Sequence, residues 1–390
     1  MLAATVRTTR DLDAAEEAVQ DAYIQALTTW ARDGVPDRPG AWLTTVARRI
    51  ALNALRRRRA LQARLPLLVE EESDEMPDPD TIPDDRLRLI FTCCHPALAP
   101  EAQIALTLRL VCGVTTADLA KAFLVAEATM AARLTRAKKK ITAARIPYAV
   151  PAAGELPARV DAVLTVIHLL YATGHTAPSG TDLVREELTG RALDLARMLR
   201  LLLPDDGEVA GLLALLLAQH ARRATRTDGQ GRLVRLADQD RSRWDRGLIA
   251  EADRLVVGVL RAGPPGRFTL QAAIAALHAQ APDYAGTDWP QILTLYDELL
   301  RIWPSPVVAL NRAVAVSMAD GPQAALAEVE ALERDGRLAG YHYLPATKAD
   351  LLHRLGRDEE AVEQYEAALA LSGNAAEREF LTERIRSAGH

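Results

Sequence analysis

The sequence predicts an all-α protein, built from two small helical modules followed by a long helical extension. Helical periodicity runs through nearly all of the 390 residues, and alanine, leucine and arginine dominate. Aromatic residues make up only 4%, and alternating β-branched runs are scarce. Because a chain of this length exceeds one compact helical core, we expect two or three domains.

Composition excludes several classes of protein. Hydrophobic residues make up 49% and charged residues 25%, which is typical of a globular chain rather than a disordered one. The longest apolar runs, such as 212–218, are far shorter than the ~20 residues of a membrane-spanning helix. No apolar stretch with a cleavage site marks the N-terminus for export, and three cysteines do not make a disulfide framework. We therefore expect a cytoplasmic protein without membrane contact.

Charge is distributed unevenly, although the net charge is only −5. Residues 48–64 contain seven arginines and no acid, residues 70–85 contain nine acids and no base, and residues 109–145 contain eight bases against two acids. Two separate basic regions suggest two contacts with one polyanion, because each phosphate contact is favoured by counterion release. Two solvated helix faces are the alternative interpretation.

Breaks in the pattern divide the chain into four segments. A first helical module covers residues 1–65 and contains a loop at 33–40, where glycines and prolines interrupt the helix. An acidic, proline-containing linker follows at 66–83, and a second helical module covers 84–147. Residues 148–390 form the all-helical extension.

The extension ends in helix pairs with the pattern of tetratricopeptide (TPR) repeats. Within residues 351–369, Gly356 marks the turn, Ala361 a close helix contact, and Tyr365 the packing of the second helix. A looser copy precedes it, with its turn at Gly321. Because such pairs stack and present a concave surface, this region is expected to accept a peptide or protein partner. A helical bundle without a groove is the alternative.

The second module has the pattern of a helix-turn-helix. A threonine-capped helix at 115–123 is followed by a turn at 124–126 and a helix over 127–141, with Met130 and Leu134 spaced to face inward. An alanine-rich helix with a basic outer stripe fits a DNA major groove, where arginine reads guanine and lysine holds phosphate. The candidate DNA-binding residues are Arg133, Arg136, Lys139 and Lys140.

In the first module, residues 41–59 form one amphipathic helix with a strongly basic polar side. Arginines beside a flexible loop suit single-stranded nucleic acid, whose backbone they neutralise. The candidate residues are Trp42, Arg48, Arg49, Asn53, Arg56 and Arg57.

Upstream of that loop, the helix over 13–28 carries a polar and acidic cluster. Such a face would repel DNA, so we expect it to bind a basic protein surface, with a solvated helix face as the alternative. The cluster consists of Glu16, Glu17, Gln20 and Asp21.

These segments resemble a bacterial extracytoplasmic-function (ECF) sigma factor. The run DAAEEAVQDAYIQAL, the loop, and PGAWLTTVARRIALNALRRRR resemble sigma region two, and residues 84–146 with TTADLAKAFLVAEATMAARLTRAKKKI resemble region four. The tail is similar to the subgroup with a TPR-like C-terminal extension, in which FTCCHPALAPEAQIALTLRL, LADQDRSRWDR and SPVVALNRAVAVSMADGP recur.

The resemblance implies a transcription initiation factor. Its partners would be core RNA polymerase, through the β′ clamp helices and the β subunit, and promoter DNA as duplex and as melted single strand. The acidic cluster would bind the clamp helices, the loop and the arginine-rich helix would melt and read the downstream promoter element, and the helix over 127–141 would read the upstream element. The extension would serve as an in-chain regulator.

Other chemistries are disfavoured by the sequence. Cys93-Cys94-His95 has the wrong spacing for a zinc chelate, and no nucleotide-binding or hydrolase motif is present, so we expect no metal, no cofactor and no enzymatic activity. Two alternatives stay open. One is a TPR-type adaptor with a DNA-binding helix-turn-helix that does not engage polymerase, and the weaker one is an enzyme using the extension as a substrate pocket near His168 and residues 238–246.

Overall fold

The computed structural model describes residues 1–62, 85–123, 125–152 and 154–389. In this part of the chain the predicted all-α class is confirmed: there are eighteen α-helices and three short 3-10 helices, with two isolated β-bridges and no strand. The predicted acidic linker at 66–83 lies outside the described residues. The chain forms two compact units, Met1–Val166 and Ile167–His390.

The first unit contains the helices that carry the predicted nucleic-acid residues. The Asp11 carboxylate accepts hydrogen bonds from the backbone N–H groups of Asp13 and Ala14, which fixes the start of the long second helix. The helices are α1 Leu2–Thr9, α2 Leu12–Asp33, α3 Pro39–Gln62, α4 Asp85–Cys93, α5 Pro100–Leu110, α6 Thr116–Ala122 and α7 Glu127–Ala143, and α8 Leu156–His175 begins in this unit and ends in the next.

Helices α2 and α3 pack through small and branched apolar side chains. Ala22 and Ala26 of α2 lie against Leu43, Val46 and Ala47 of α3, and all five are buried. Alanines allow the two helix axes to approach closely, so the remaining sides of both helices stay free for polar residues. The loop predicted at residues 33–40 corresponds to the segment that connects the end of α2 to the start of α3.

The helix-turn-helix geometry agrees with the sequence pattern. Thr115 receives a hydrogen bond from the backbone N–H of Asp118 and donates one to its carboxylate, so α6 begins with a reciprocal cap. In α7, Met130, Leu134 and Ala137 are buried as the spacing predicts. The opposite side of α7 therefore faces outward.

The second unit consists of the extension helices. Helix α10 is buried along most of its length, and Gly211 allows it to touch α12: a Cβ there would lie 2.4 Å from Thr269 Oγ1. The helices are α9 Glu186–Leu202, α10 Gly207–Ala221, α11 Arg246–Ala262, α12 Arg267–Gln280, α13 Trp289–Ile302, α14 Pro306–Ala319, α15 Pro322–Asp335, α16 Tyr343–Arg354, α17 Asp358–Leu371 and α18 Ala375–Ala388.

The last helices of this unit follow one another in short pairs. Gly321 and Gly356 have φ values of 96° and 74°, in the left-handed region where glycine is favoured, and each lies at the predicted turn. Ala361 and Tyr365 are buried in the core that α14 to α18 share. Membership of the TPR class stays a prediction. Within the described residues, no helix is long and apolar enough to cross a membrane.

Candidate nucleic-acid and polymerase interfaces

The basic stripe of α7 is accessible. Arg136, Lys139 and Lys140 are exposed, and among the described residues none has an ion-pair partner. The guanidinium carbon of Arg133 lies 5.9 Å from the centre of the Phe123 ring, so this side chain is held against the end of the preceding helix. Side chains with unpaired cationic ends on a rigid helix are available to bind phosphates and base edges.

Helix α3 presents a second basic surface. Trp42 is half-buried against Trp30, with ring centroids 5.4 Å apart, and it anchors the start of the helix. The helix turns its apolar residues toward α2, so its polar residues point outward without ion-pair partners among the described residues. Those exposed residues are Arg48, Arg49, Asn53, Arg56 and Arg57.

The acidic cluster of α2 is divided by the fold. Glu17, Gln20 and Asp21 are exposed, and the same side of the helix continues into Ile24 and Leu27, which are 63% and 76% exposed. An acidic face that continues into uncovered apolar side chains is typical of a protein-binding surface. Ile24 and Leu27 were not among the residues predicted from the sequence, although their spacing of seven and ten residues from Glu17 places them on its face of α2.

Glu16 is engaged within the first unit. Its carboxylate forms an ion pair with Lys138 of α7, which also lies 3.1 Å from Asp13, and Arg109 lies 4.0 Å from it. Burial lowers the pKa of Lys138, but the hydrogen bonds to Glu16 and Asp13 outweigh burial and raise it overall. Lys138 was not assigned a role from the sequence, and it lies at the edge of α7 away from the basic stripe.

Further contacts join the two modules inside this unit. The Tyr148 hydroxyl lies 2.8 Å from the carbonyl oxygen of Ala3 and 2.7 Å from that of Asp85, and Arg7 forms an ion pair of 3.4 Å with Asp85. Helix α1 is therefore fixed to the start of α4. Together with the Lys138 pair, these contacts place the acidic helix α2 beside the helix-turn-helix.

Three family models match the chain. Sigma-70 region 2 matches residues 2–61, sigma-70 region 4 matches residues 88–141, and a family of unknown function (DUF6596) matches residues 159–259. The chain is also 44% identical to Uncharacterized protein R00370 of Rhizobium meliloti (strain 1021), over 97% of this chain and 91% of that protein. The chain therefore belongs to the same family as the Rhizobium meliloti protein. No solved structure matches it.

The two sigma-70 regions support an ECF-type sigma factor with a role in transcription initiation. The region 2 match contains α2 and α3, with the acidic face and the first basic surface, and the region 4 match contains α6 and most of α7. Both regions are non-catalytic, and they imply interaction with core RNA polymerase and promoter DNA.

The three cysteines of the chain are enclosed in the first unit. Cys93, Cys94 and Cys112 are buried, and burial raises the pKa of Cys94 to about 12 although a contact with Thr107 opposes the shift. A thiol with so high a pKa carries almost no thiolate at neutral pH. No group of three metal-ligating side chains occurs among the described residues.

Proposed function

We propose that the chain binds core RNA polymerase through the exposed face of α2 and directs promoter-specific initiation through α3 and α7. The observation that carries this proposal is a pair of basic surfaces, one in each matched sigma-70 region, whose named cationic side chains have no ion-pair partner among the described residues. In this proposal the extension acts as an in-chain regulatory module, and its paired helices accept a peptide or protein partner.

The face of α2 suits the basic β′ clamp helices. Glu17 and Asp21 supply negative charge, Gln20 supplies hydrogen bonds, and Ile24 and Leu27 supply apolar area that water would otherwise cover. The β subunit would contact the second module. Charge on such a face speeds and orients association, and the apolar side chains add affinity.

The two basic surfaces suit two forms of DNA. On α7, Arg136 and Lys140 lie one turn apart on a rigid helix, the arrangement that reads duplex in the major groove. On α3, the arginines extend from a helix that begins beside Trp42 and the interhelical loop, which suits a melted strand with unstacked bases.

Co-elution of the full chain with bacterial core RNA polymerase on a sizing column tests the proposal. We expect co-elution of the parent chain and its loss when Glu17→Lys and Asp21→Lys are combined, because two charge reversals oppose a basic partner surface. The matched control is Glu359→Lys with Glu363→Lys, which reverses two exposed carboxylates at the same spacing on α17.

The outcomes separate the sigma factor from the adaptor. Loss in the α2 variant with retention in the α17 control supports polymerase binding through α2. Failure of the parent chain to co-elute would contradict the proposal and leave the DNA-binding adaptor that does not engage polymerase. That alternative is less favoured, because the region 2 match covers the whole of α2.

A further inference from the structure

Two adjoining cavities lie inside the second unit. The larger has a volume of about 730 Å³ and the smaller about 230 Å³, and they share four lining residues. A combined space of this size falls in the range of small-molecule sites rather than packing defects. The shared residues are Leu236, His278, Tyr296 and Asn311.

The smaller cavity is lined by an arginine without a partner. Arg222, at the end of α10, is partly buried, and its guanidinium makes no hydrogen bond or ion pair with any residue that the structure describes. Burial lowers its pKa, and the phenol of Tyr171 only partly opposes that shift. A guanidinium partly withdrawn from water with no acceptor from the chain can form a charge-assisted hydrogen bond with an anion that enters the cavity.

Two other enclosed arginines of this unit donate hydrogen bonds to acceptors of the chain. Arg241 donates from Nη1 to the carbonyl oxygens of His278 and Ala281, at 2.5 and 2.8 Å, and its guanidinium lies over Trp244. Arg226 donates to the Thr176 hydroxyl at 3.0 Å and to a backbone carbonyl. Nη1 of Arg241 and the guanidinium of Arg226 thus have acceptors from the chain, whereas the Arg222 guanidinium has none among the described residues.

The charges around the larger cavity point to a negatively charged ligand. Asp350 already pairs with Arg384 at 3.1 Å, and the Glu377 carboxylate accepts a hydrogen bond from Tyr343 and lies 3.3 Å from His342. The acids that line the cavity are therefore engaged. Arg354, in contrast, is exposed and bonded only to neutral groups, chiefly the hydroxyl and carbonyl of Ser317.

The larger cavity also has an aromatic wall suited to a flat apolar body. Trp289 is only 7% exposed, and its indole N–H has no hydrogen-bond acceptor among the described residues. Tyr284 and His278 flank it edge-on, with ring centroids 5.1 and 5.2 Å away. An aromatic wall in one cavity and an unpaired guanidinium in the adjoining cavity match an amphiphilic anion, with one flat part and one charged part.

We propose that the joined cavities bind a small organic anion, with its carboxylate or sulfonate on Arg222 and its flat apolar body against Trp289. The smaller cavity is large enough for the charged group alone, and the larger one for the ring system. Asn311, on the wall that the two cavities share, provides a polar contact between the two parts. The inference concerns ligand binding itself and does not depend on the proposed role in transcription.

Two fluorescent probes that differ in one charge test the site on the full chain. 8-Anilinonaphthalene-1-sulfonate has the flat body and the anion, and N-phenyl-1-naphthylamine has the same skeleton without the sulfonate. We expect saturable binding of one sulfonate probe per chain by titration calorimetry. We also expect it to bind at least about tenfold more tightly than the neutral probe, since a charge-assisted hydrogen bond contributes that much.

Variants assign the site to Arg222. Arg222→Gln should weaken the sulfonate probe about tenfold or more and leave the neutral probe unchanged, whereas Arg334→Gln, at an exposed arginine of α15 outside both cavities, should change neither. Ala275→Leu, which narrows the smaller cavity from α12, should also weaken the sulfonate probe. This third variant keeps the test valid if Arg222→Gln fails to fold.

Thermal unfolding without ligand separates a binding role from a structural one. If Arg222 serves a ligand, Arg222→Gln unfolds at the same temperature as the parent chain or higher, because an uncompensated charge has been removed. A lower unfolding temperature for Arg222→Gln would overturn the assignment. Equal binding of the two probes to the parent chain would overturn the proposal itself.

Discussion

Arginine side chains without a partner among the described residues are exposed to solvent in the first unit, whereas in the second unit one of them lines a cavity. In the first unit, Arg48, Arg56 and Arg136 extend into solvent from α3 and α7, where water and salt stabilise their charge. In the second unit, Arg222 lines a cavity without a partner among the described residues. The same side chain thus indicates two kinds of ligand: a large polyanion that approaches an open surface, and a small anion that enters an enclosed one.

The first unit also encloses an arginine, Arg159, and its guanidinium is hydrogen-bonded to the chain. This side chain is buried, donates from Nη1 to the carbonyl oxygen of Phe91 at 2.9 Å, and lies 3.9 Å from the Glu155 carboxylate. The guanidinium groups of Arg159 and Arg226 are thus hydrogen-bonded to the chain, whereas that of Arg222 has no partner among the described residues. The contrast between the units concerns the exposure of charged side chains, and three experiments test it.

The largest effect is expected on the open surface of α7. Replacing Arg133 and Arg136 together by alanine should reduce promoter-specific transcription by roughly 100-fold, because each arginine–guanine contact contributes about 1–3 kcal/mol. The free energy of unfolding should change by less than about 0.5 kcal/mol at the exposed Arg136 and by about 1 kcal/mol at Arg133, whose guanidinium lies over the Phe123 ring. Run-off transcription with core polymerase, together with thermal unfolding of the variant, measures both quantities.

Arg334→Ala in α15 is the matched control, since it removes an exposed arginine from a helix outside the sigma-70 regions. It should leave transcription unchanged. If the double variant retained parental transcription while folding normally, α7 would not be the DNA-reading helix.

The sequence predicted the helices and their exposed residues well, because both follow from local periodicity. The inward spacing of Met130 and Leu134 and the turns at Gly321 and Gly356 are visible in the chain itself. What periodicity could not supply was which distant residues meet. Lys138 and Glu16 are 122 positions apart, and their pairing depends on how two modules pack.

The cavity was equally inaccessible to sequence reasoning. Arg222 lies within a sequence rich in arginine, and nothing local distinguishes it from Arg223, which donates to the carbonyl oxygen of His220. Its lack of a partner becomes visible only when α10, α12 and α14 are brought around it. A sequence pattern shows which face a residue occupies, and tertiary packing shows whether its charge is satisfied.

A second experiment measures how the stability of the second unit depends on pH. Burial, with the nearby Arg267 charge, lowers the pKa of His168 from 6.5 to about 4. The unfolded chain therefore binds a proton at higher pH than the folded one, so the stability from neutral His168 is complete above pH 6.5 and is lost as the pH falls toward 4. The loss is roughly 3 kcal/mol, at about 1.4 kcal/mol per pH unit.

Amide hydrogen exchange in α12, whose Phe268 ring packs edge-on against His168, reports this loss between pH 7 and pH 4.5 after correction for intrinsic exchange. His168→Gln removes the titrating group and should make the stability of α12 less dependent on pH. An equally steep decline in that variant would show that other groups cause the acid sensitivity of the second unit.

The smallest expected effect lies where the acidic and basic surfaces of the first unit meet. Lys138 holds Glu16 and Asp13 of α2, beside the face proposed to bind polymerase. Lys138→Ala should release the carboxylates of Glu16 and Asp13. We expect it to raise the affinity for core polymerase about fivefold, since a partly exposed ion pair contributes about 1 kcal/mol or less. Fluorescence anisotropy of the labelled full chain, titrated with core polymerase, measures the change.

Lys139→Ala is the matched control, because it removes the neighbouring lysine, which is exposed and has no acidic partner among the described residues. It should not raise the affinity, and the advantage of Lys138→Ala should shrink as salt screens the pair. If both variants bound polymerase with parental affinity, the contact between α2 and α7 would not compete with polymerase. If only Lys138→Ala bound more tightly, one lysine would link polymerase binding to the position of the DNA-reading helix, because releasing α2 from α7 frees both surfaces at once.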